Sequence, residues 1–158
     1  MKDKTLIIVR HAHRDTTEGR ERNNSLSEKG KEQAKAVSRY FRERYPDVEP
    51  LLLSSPKVRC IETLLPLADK LKAEVKVVDL LNEQEGSRGE FERQIEKFFR
   101  WWKQSKDECT VICTHGDWIP AFTRLTLKME IELKKGGWME FHSAHRKFNL
   151  SWVLQKLA

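Results

Sequence analysis

Short apolar runs alternate with helical segments along most of this chain of 158 residues, and this alternation restricts the fold more than any other feature. Four runs rich in Leu, Ile and Val predict buried strands at residues 5–9, 51–53, 75–78 and 109–114. Strands that alternate with helices imply crossover connections, and these connections produce a mainly parallel sheet. The chain is therefore predicted to be an α/β protein.

Each of these strands is followed by a segment with a helical pattern. The first helix is predicted to start at an N-cap, Ser27, and to end near Arg44. The second is predicted to take Ser55 as its N-cap and Pro56 as its first residue. Its predicted buried face comprises Val58, Ile61, Leu65, Ala68 and Leu71, with a kink at Pro66. The third is predicted to bury Phe91, Ile95, Phe98 and Trp102, and the fourth to open at His115, Gly116 and Asp117.

Two alternating segments close the chain, at about residues 138–142 and 148–154. They predict an antiparallel hairpin with Phe148, Leu150, Trp152 and Leu154 on one face. The complete prediction is a single domain over residues 1–158, folded as a three-layer α/β/α sandwich. Its central sheet is mainly parallel and ends in a C-terminal antiparallel strand pair.

Composition excludes several classes of protein. No apolar run approaches the roughly 18 residues that span a bilayer, so no membrane partner is expected. Three cysteines without framework spacing favour a reducing, cytoplasmic environment. The net charge of +6 permits an anionic partner, but the basic residues are interleaved with Glu, so a nucleic-acid partner is not expected. His142 and His145 lack partners at ligand spacing, and no metal site is predicted.

Basic and imidazole groups follow three of the four predicted parallel strands. Arg10 and His11 end the first strand, Arg59 lies in the first turn of the helix after the second, and His115 ends the fourth. The loop after the third strand adds Glu83 and Glu85. Ligands bind at the carboxyl ends of parallel strands, so these side chains are predicted to form one phosphate site.

The residue types suit phosphoryl transfer. A neutral imidazole is a nucleophile near neutral pH, and guanidinium groups match the oxygens of a phosphate. A carboxylic acid can donate a proton to the leaving oxygen. Two arginines and a histidine would neutralise the phosphoryl charge without magnesium.

Five segments in order resemble the motifs of the histidine phosphatase superfamily, which has the phosphoglycerate-mutase-like fold. The segments are LIIVRHA (6–12), NSLSEKGKEQA (24–34), LSSPKVRCIET (53–63), LNE (81–83) and VICTHG (111–116), and the tail from Gly137 resembles the closing strand pair. The resemblance covers nearly the whole chain.

The resemblance implies a role for each matching residue. His11 would be the nucleophile that becomes phosphohistidine, and Glu83 would be the catalytic proton donor. Arg10, Arg59 and His115 would hold the phosphoryl oxygens, with His115 also counted among the catalytic residues. Gly116 would allow close approach beside His115. The family implies neither a metal nor another cofactor.

Four features of the chain depart from the family pattern or leave a role open. Ala12 replaces the usual Gly after the nucleophile, as in small members that resemble phosphohistidine phosphatases. Glu85 and Glu90 compete with Glu83 as proton donor, and His13 and Arg14 either extend the basic pocket or lie on the surface. Only about 25 residues separate Glu83 from Cys109, which leaves no room for the helical lid of some relatives and predicts an open site.

The predicted function is a metal-independent phosphatase that hydrolyses phosphoric monoesters or phosphohistidine. Its substrate would be a phosphorylated small molecule or a phosphoprotein. The alternative is a non-catalytic domain that recognises a phosphorylated partner. The sequence leaves the physiological substrate and the oligomeric state open.

Overall fold

Six strands form one sheet in the order β3-β2-β4-β1-β5-β6 in the computed structural model, which describes residues 3–157. The predicted terminal residues 1 and 158 of the domain lie outside this range. The strands are β1 (Lys4–Arg10), β2 (Leu51–Ser54), β3 (Val75–Val77), β4 (Cys109–Thr114), β5 (Trp138–Ala144) and β6 (Lys147–Leu154). The first four are parallel neighbours, whereas β5 pairs antiparallel with both β1 and β6. The predicted α/β class and the C-terminal antiparallel pair are confirmed.

Helices cover both faces of this sheet. They are α1 (Glu28–Arg44), α2 (Val58–Leu71), α3 (Arg88–Gln104) and α4 (Trp118–Leu127), with a short 3-10 helix at Asp79–Leu81. Successive side chains of a strand point to opposite faces, and β1 is buried on both. Leu6 and Ile8 pack with the apolar residues of α3 and α4, whereas Ile7 and Val9 pack with those of α1 and α2. This arrangement is the predicted three-layer sandwich.

The predicted start of α2 is wrong, and of the five residues predicted for its buried face only Ala68 is buried. Lys57 is the N-cap, and the helix begins at Val58. The hydroxyl of Ser55 is buried within 2.7 Å of His115 Nε2 instead of capping the helix. The face that meets the sheet and α1 is formed by Cys60, Thr63, Leu64, Leu67 and Ala68, so Leu65 is 41% exposed. The helix continues through Pro66.

The predicted single face of the last strand is also wrong, because a β-bulge interrupts the hairpin. Glu140 pairs with Trp152, but the next residue, Phe141, pairs with Leu150. The extra residue reverses the alternation. Phe148 and Leu150 therefore pack on the α3–α4 side, whereas Leu154 packs on the α1–α2 side.

The helices of residues 3–157 include none with the length and apolar character needed to cross a membrane. All three cysteines, Cys60, Cys109 and Cys113, are buried free thiols.

Candidate active site

His11 lies just beyond the carboxyl end of β1 and is only 5% exposed. Its Nδ1 is 2.9 Å from the carbonyl oxygen of Ala12. A carbonyl oxygen only accepts hydrogen bonds, so Nδ1 carries the proton and Nε2 carries the free lone pair. Burial, followed by the charges of Arg59 and Arg10, lowers the pKa of His11 to about 3, although the hydrogen bond to Ala12 acts in the opposite direction. The ring is therefore neutral across the physiological pH range.

His115 reaches the same place from the end of β4. Its ring centroid is 5.5 Å from that of His11, and its Nε2 lies 2.7 Å from the Ser55 hydroxyl. Burial, followed by the charges of Arg59 and His11, lowers the pKa of His115 to about 2. Two neutral imidazoles thus share one pocket at the edge of the sheet.

Two arginines flank these rings, and each has an unused donor. Arg10 donates from Nη1 to the Leu133 carbonyl at 2.8 Å, and Arg59 donates from Nη2 to Glu83 Oε1 at 2.6 Å. The Nε atoms of both arginines are buried and have no hydrogen-bond partner within residues 3–157. Buried polar groups are rarely left without a partner, so these two N–H groups mark where an anionic ligand would bind.

Gly116 makes room for one of these guanidinium groups. A Cβ at this position would lie 2.7 Å from Arg10 Cζ and 2.8 Å from its Nη2. Arg10 therefore sits directly against the backbone that follows His115. The close approach expected at Gly116 involves this arginine.

Among the candidate acids, Glu83 is the one that contacts Arg59 and His115. Its Oε1 lies 2.6 Å from Arg59 Nη2 and 3.5 Å from His115 Nδ1. Glu85 instead accepts from the Asn82 amide and lies 3.9 Å from Lys57 Nζ. Glu90 belongs to the first turn of α3.

His13 and Arg14 take different positions after the pocket. His13 Nδ1 is 2.7 Å from the hydroxyl of Ser27, the N-cap of α1, so this ring buttresses a helix end. Arg14 donates from Nη1 to the Arg20 carbonyl and to Asn24 Oδ1, both at 3.0 Å. The charges of Arg59 and Glu83 act on Arg14, so Arg14 extends the basic surroundings of the pocket.

Sequence reasoning missed two residues that border this site. Ser55 was expected to cap α2, but its hydroxyl lies beside His115. Lys135 is close enough for its charge to act on His11 across more than 120 residues of sequence. The two glycines after Lys135 indicate a tight turn before a strand, but no local signal places that turn beside β1.

The comparison with protein-family models decides the classification. Residues 6–110 match the model of the histidine phosphatase superfamily, branch 1. The chain belongs to the histidine phosphatase superfamily. The match contains His11, Arg59 and Glu83, and this membership supports the predicted class of phosphatase hydrolase. No curated protein sequence gives a significant match.

Solved structures of other members have the same fold. Mycobacterial hydrolase 2 is 17% identical, with a TM-score of 0.79 over 100% of this chain and 93% of its own. A phosphoserine phosphatase variant from Entamoeba histolytica, in complex with phosphoserine, is 18% identical, with a TM-score of 0.74 over 95% of this chain and 96% of its own. Mycobacterial glucosyl-3-phosphoglycerate phosphatase with inorganic phosphate is 18% identical, with a TM-score of 0.73 over 94% of this chain and 96% of its own.

The segment in which some superfamily members carry a lid is short in this chain. Between Glu83 and β4 it forms α3 alone, and the apolar residues of α3 are buried in the sandwich. The expected membership of the small branch without a lid remains a prediction.

Proposed function

We propose that this chain is a metal-independent phosphatase that passes the phosphoryl group of its substrate through His11. The observation that carries the proposal is the state of His11 beside the two arginines. Its Nε2 holds a free lone pair, and the buried Nε–H groups of Arg10 and Arg59 have no partner within the described residues. A nucleophile and two unused cationic donors fit the reacting phosphorus and its charged oxygens.

In the first step, the lone pair of His11 Nε2 attacks phosphorus and the bond from phosphorus to the ester oxygen breaks. The guanidinium groups of Arg10 and Arg59 balance the charge on the phosphoryl oxygens. Glu83 gives its proton to the leaving oxygen, and its contacts with Arg59 and His115 keep it beside the reacting group. The products are an alcohol and a phosphohistidine at His11.

In the second step, a water molecule attacks the phosphohistidine. Glu83, now a carboxylate, accepts a proton from this water while the oxygen attacks phosphorus. The bond from phosphorus to Nε2 breaks, and His11 returns to its starting state. The proton stays on Nδ1 throughout and remains hydrogen-bonded to the Ala12 carbonyl, which keeps Nε2 directed at the phosphorus.

Phosphate monoesters of small molecules are the substrate class that the comparisons favour. The structural relatives include a phosphoserine phosphatase and a glucosyl-3-phosphoglycerate phosphatase, and the names of both describe phosphorylated small molecules. A protein-borne phosphohistidine is the second substrate to test, because Ala12 matches the small members that resemble phosphohistidine phosphatases.

The test is hydrolysis of a generic aryl phosphate in the presence of EDTA. The wild type should be active with the chelator, and His11→Ala should lose at least about 10⁴-fold in kcat. His13→Gln is the matched control, because it removes a neighbouring imidazole that faces Ser27, and it should retain activity within about threefold. Tight phosphate binding without hydrolysis of any phosphate would overturn the proposal in favour of a non-catalytic recognition domain.

A further inference from the structure

One segment of the chain, the α4–β5 connection at residues 128–137, holds Arg10 by both its backbone and its side chain. The Gly136 amide donates to the Arg10 carbonyl at 3.1 Å, and Arg10 Nη1 donates to the Leu133 carbonyl at 2.8 Å. Arg59, in contrast, is paired with the carboxylate of Glu83. The direction in which Arg10 presents its unpaired Nε–H therefore depends on where the Leu133 carbonyl points.

The α4–β5 connection is extended around Leu133, although it contains no regular helix or strand. Glu132 and Lys134 are exposed, whereas Leu133 is buried and packs with the apolar residues of α3 and α4. In an extended segment, the carbonyl of one residue and the amide of the residue two further on lie along one edge, and the carbonyl between them lies along the other. Because the Leu133 carbonyl faces Arg10, the Glu132 carbonyl and the Lys134 amide belong to the opposite edge.

The side chain of Gln155 binds this opposite edge. The Lys134 amide donates to Gln155 Oε1 at 2.7 Å, and Gln155 Nε2 donates to the Glu132 carbonyl at 2.8 Å. One side-chain amide, with an acceptor and a donor, thus makes the two bonds that a neighbouring strand would make. It fixes the peptide groups on both sides of Leu133.

The backbone that carries Gln155 is anchored at the end of the sheet. Gln155 directly follows Leu154, which ends β6, pairs with Trp138 and packs on the α1–α2 side. Trp138 in turn pairs with Val9, the residue before Arg10. Gln155 therefore has a fixed position relative to the end of β1. It lies outside the five segments that match the motifs of the family.

We propose that Gln155 is a positioning residue for the phosphatase reaction, because it fixes the carbonyl that directs Arg10 toward the phosphoryl group. This role rests on the proposed function and adds to it a residue that acts only through Leu133 and Arg10. Without the Gln155 amide, water would bind the exposed edge, so the free energy of unfolding would change little. The Leu133 carbonyl would lose its fixed direction, and a misplacement of about 1 Å can cost up to ~10²-fold in rate.

A double-mutant cycle tests whether Gln155 acts through Arg10. The wild type, Gln155→Ala, Arg10→Met and the double variant are compared in kcat/KM for an aryl phosphate. Gln155→Ala should lower kcat/KM about tenfold in the wild type. It should lower kcat/KM by less than about twofold in Arg10→Met, where no guanidinium is left to direct. A merely structural role would give the same factor in both backgrounds.

Two further variants control for the substitution itself. Gln155→Met keeps the length of the side chain but makes neither hydrogen bond, so it should match Gln155→Ala and replaces it if the alanine variant does not fold. Gln104→Ala is the matched control, since Gln104 is an exposed glutamine at the end of α3, and it should leave kcat/KM unchanged. Urea unfolding of each variant shows that the folded state is compared.

Binding of inorganic phosphate separates this role from the proposed function. The four proteins of the cycle are titrated calorimetrically, and phosphate should bind about threefold more weakly to Gln155→Ala, with no further loss in the Arg10→Met background. This pattern without hydrolysis in the wild type would contradict the phosphatase and leave the positioning role intact. Full kcat/KM in Gln155→Ala, or an equal loss with and without Arg10, would overturn the positioning role while the phosphatase stands. Failure of the wild type to bind phosphate would overturn both.

Discussion

Two charged sites inside this molecule, one on β5 and one at the carboxyl end of β1, differ in how completely their charges are paired. On β5, the carboxylate of Glu140 is fully buried, and Arg44 donates to both of its oxygens at 2.9 Å. Trp138 Nε1 lies 3.1 Å and His142 Nε2 lies 3.0 Å from this carboxylate, and the Tyr45 side chain is also hydrogen-bonded to it. At the carboxyl end of β1, by contrast, Arg10 and Arg59 each keep a buried Nε–H without a partner among residues 3–157.

The difference separates a structural site from the pocket that we propose as the phosphate site. Burial alone would raise the pKa of Glu140, but hydrogen bonds led by the one from Arg44 outweigh it and lower the pKa to about 2. Such a carboxylate is fully satisfied by the protein and stabilises the fold. The unpaired donors of the arginines cost folding free energy and become useful only when an anion arrives.

Among variants that test this comparison, the largest effect is expected from a substitution of Arg59. Arg59→Met should lower kcat/KM for an aryl phosphate about 10³-fold, because it removes a cationic donor from the phosphoryl oxygens. The free energy of unfolding should not fall, because methionine replaces a buried and incompletely paired cation with an apolar group. Steady-state kinetics and urea unfolding on the same preparation check both statements. A loss of activity below tenfold would contradict the assigned role.

The opposite result is expected at the paired site. Glu140→Gln leaves the Arg44 guanidinium without its anion, so the free energy of unfolding should fall by about 3 kcal/mol. Activity at a temperature where the variant is folded should match the wild type. Glu28→Gln, which breaks an exposed ion pair in α1, is the control and should change stability by less than about 0.5 kcal/mol. A large loss of kcat in Glu140→Gln with an unchanged free energy of unfolding would contradict the structural role of Glu140.

Acid should affect the two sites in different pH windows. The pKa values of His11 and His115 fall from 6.5 to about 3 and about 2 in the folded chain. Below pH 6.5 the two histidines are protonated in the unfolded chain but not in the folded chain. Their contribution to the free energy of unfolding is therefore fully present above pH 6.5 and is lost as the pH falls. Glu140 contributes above its ordinary pKa of 4.5, and its contribution is lost as the pH falls toward 2.

Unfolding between pH 6 and pH 5 isolates the histidine contribution. Each buried histidine should add up to about 1.4 kcal/mol per pH unit to the slope of unfolding free energy against pH. His11→Gln should therefore have a shallower slope than the wild type, whereas Glu140→Gln should keep it. Equal slopes for the wild type and His11→Gln would mean that His11 titrates normally.

The smallest expected effect concerns Gly116. Gly116→Ala should reduce kcat/KM about tenfold, because the added methyl displaces the Arg10 guanidinium from its place against the backbone. Gly89→Ala in α3 is the matched control, since its nearest neighbour would be Arg93 Nη1 at 3.4 Å, an ordinary contact. The control should retain full activity. Full activity in Gly116→Ala as well would show that the position of Arg10 is not critical.

The residues of the pocket could be predicted from the sequence because most of them lie at the ends of strands. Arg10, His11 and His115 follow apolar runs directly, and parallel strands place such residues at one edge. Arg59 was correctly predicted to lie in the first turn of α2, although the predicted start of this helix was wrong. The helix begins only two residues later than predicted, so Arg59 stays in its first turn.

Features that depend on contacts distant in sequence were not accessible. Glu140 is hydrogen-bonded to Arg44, which is 96 residues away in the sequence. From the sequence alone, the charged end of the helix that carries Arg44 indicates an exposed face. The β-bulge at Phe141 and Leu150 cannot be predicted from the alternation of apolar and polar residues in the last strand. The buried face of α2 depends on which side meets α1 and the sheet, and its apolar residues fit two faces.

The most direct test of the central claim is to trap the phosphoryl group on the protein. The full chain is mixed with an aryl phosphate in EDTA, quenched within milliseconds in alkali, and its intact mass is measured. The account predicts a species heavier by one phosphoryl group, stable in alkali and lost in acid, located at His11 and absent from His11→Ala. Hydrolysis that proceeds at full rate in His11→Ala, or a phosphoryl group found on any other residue, would contradict it.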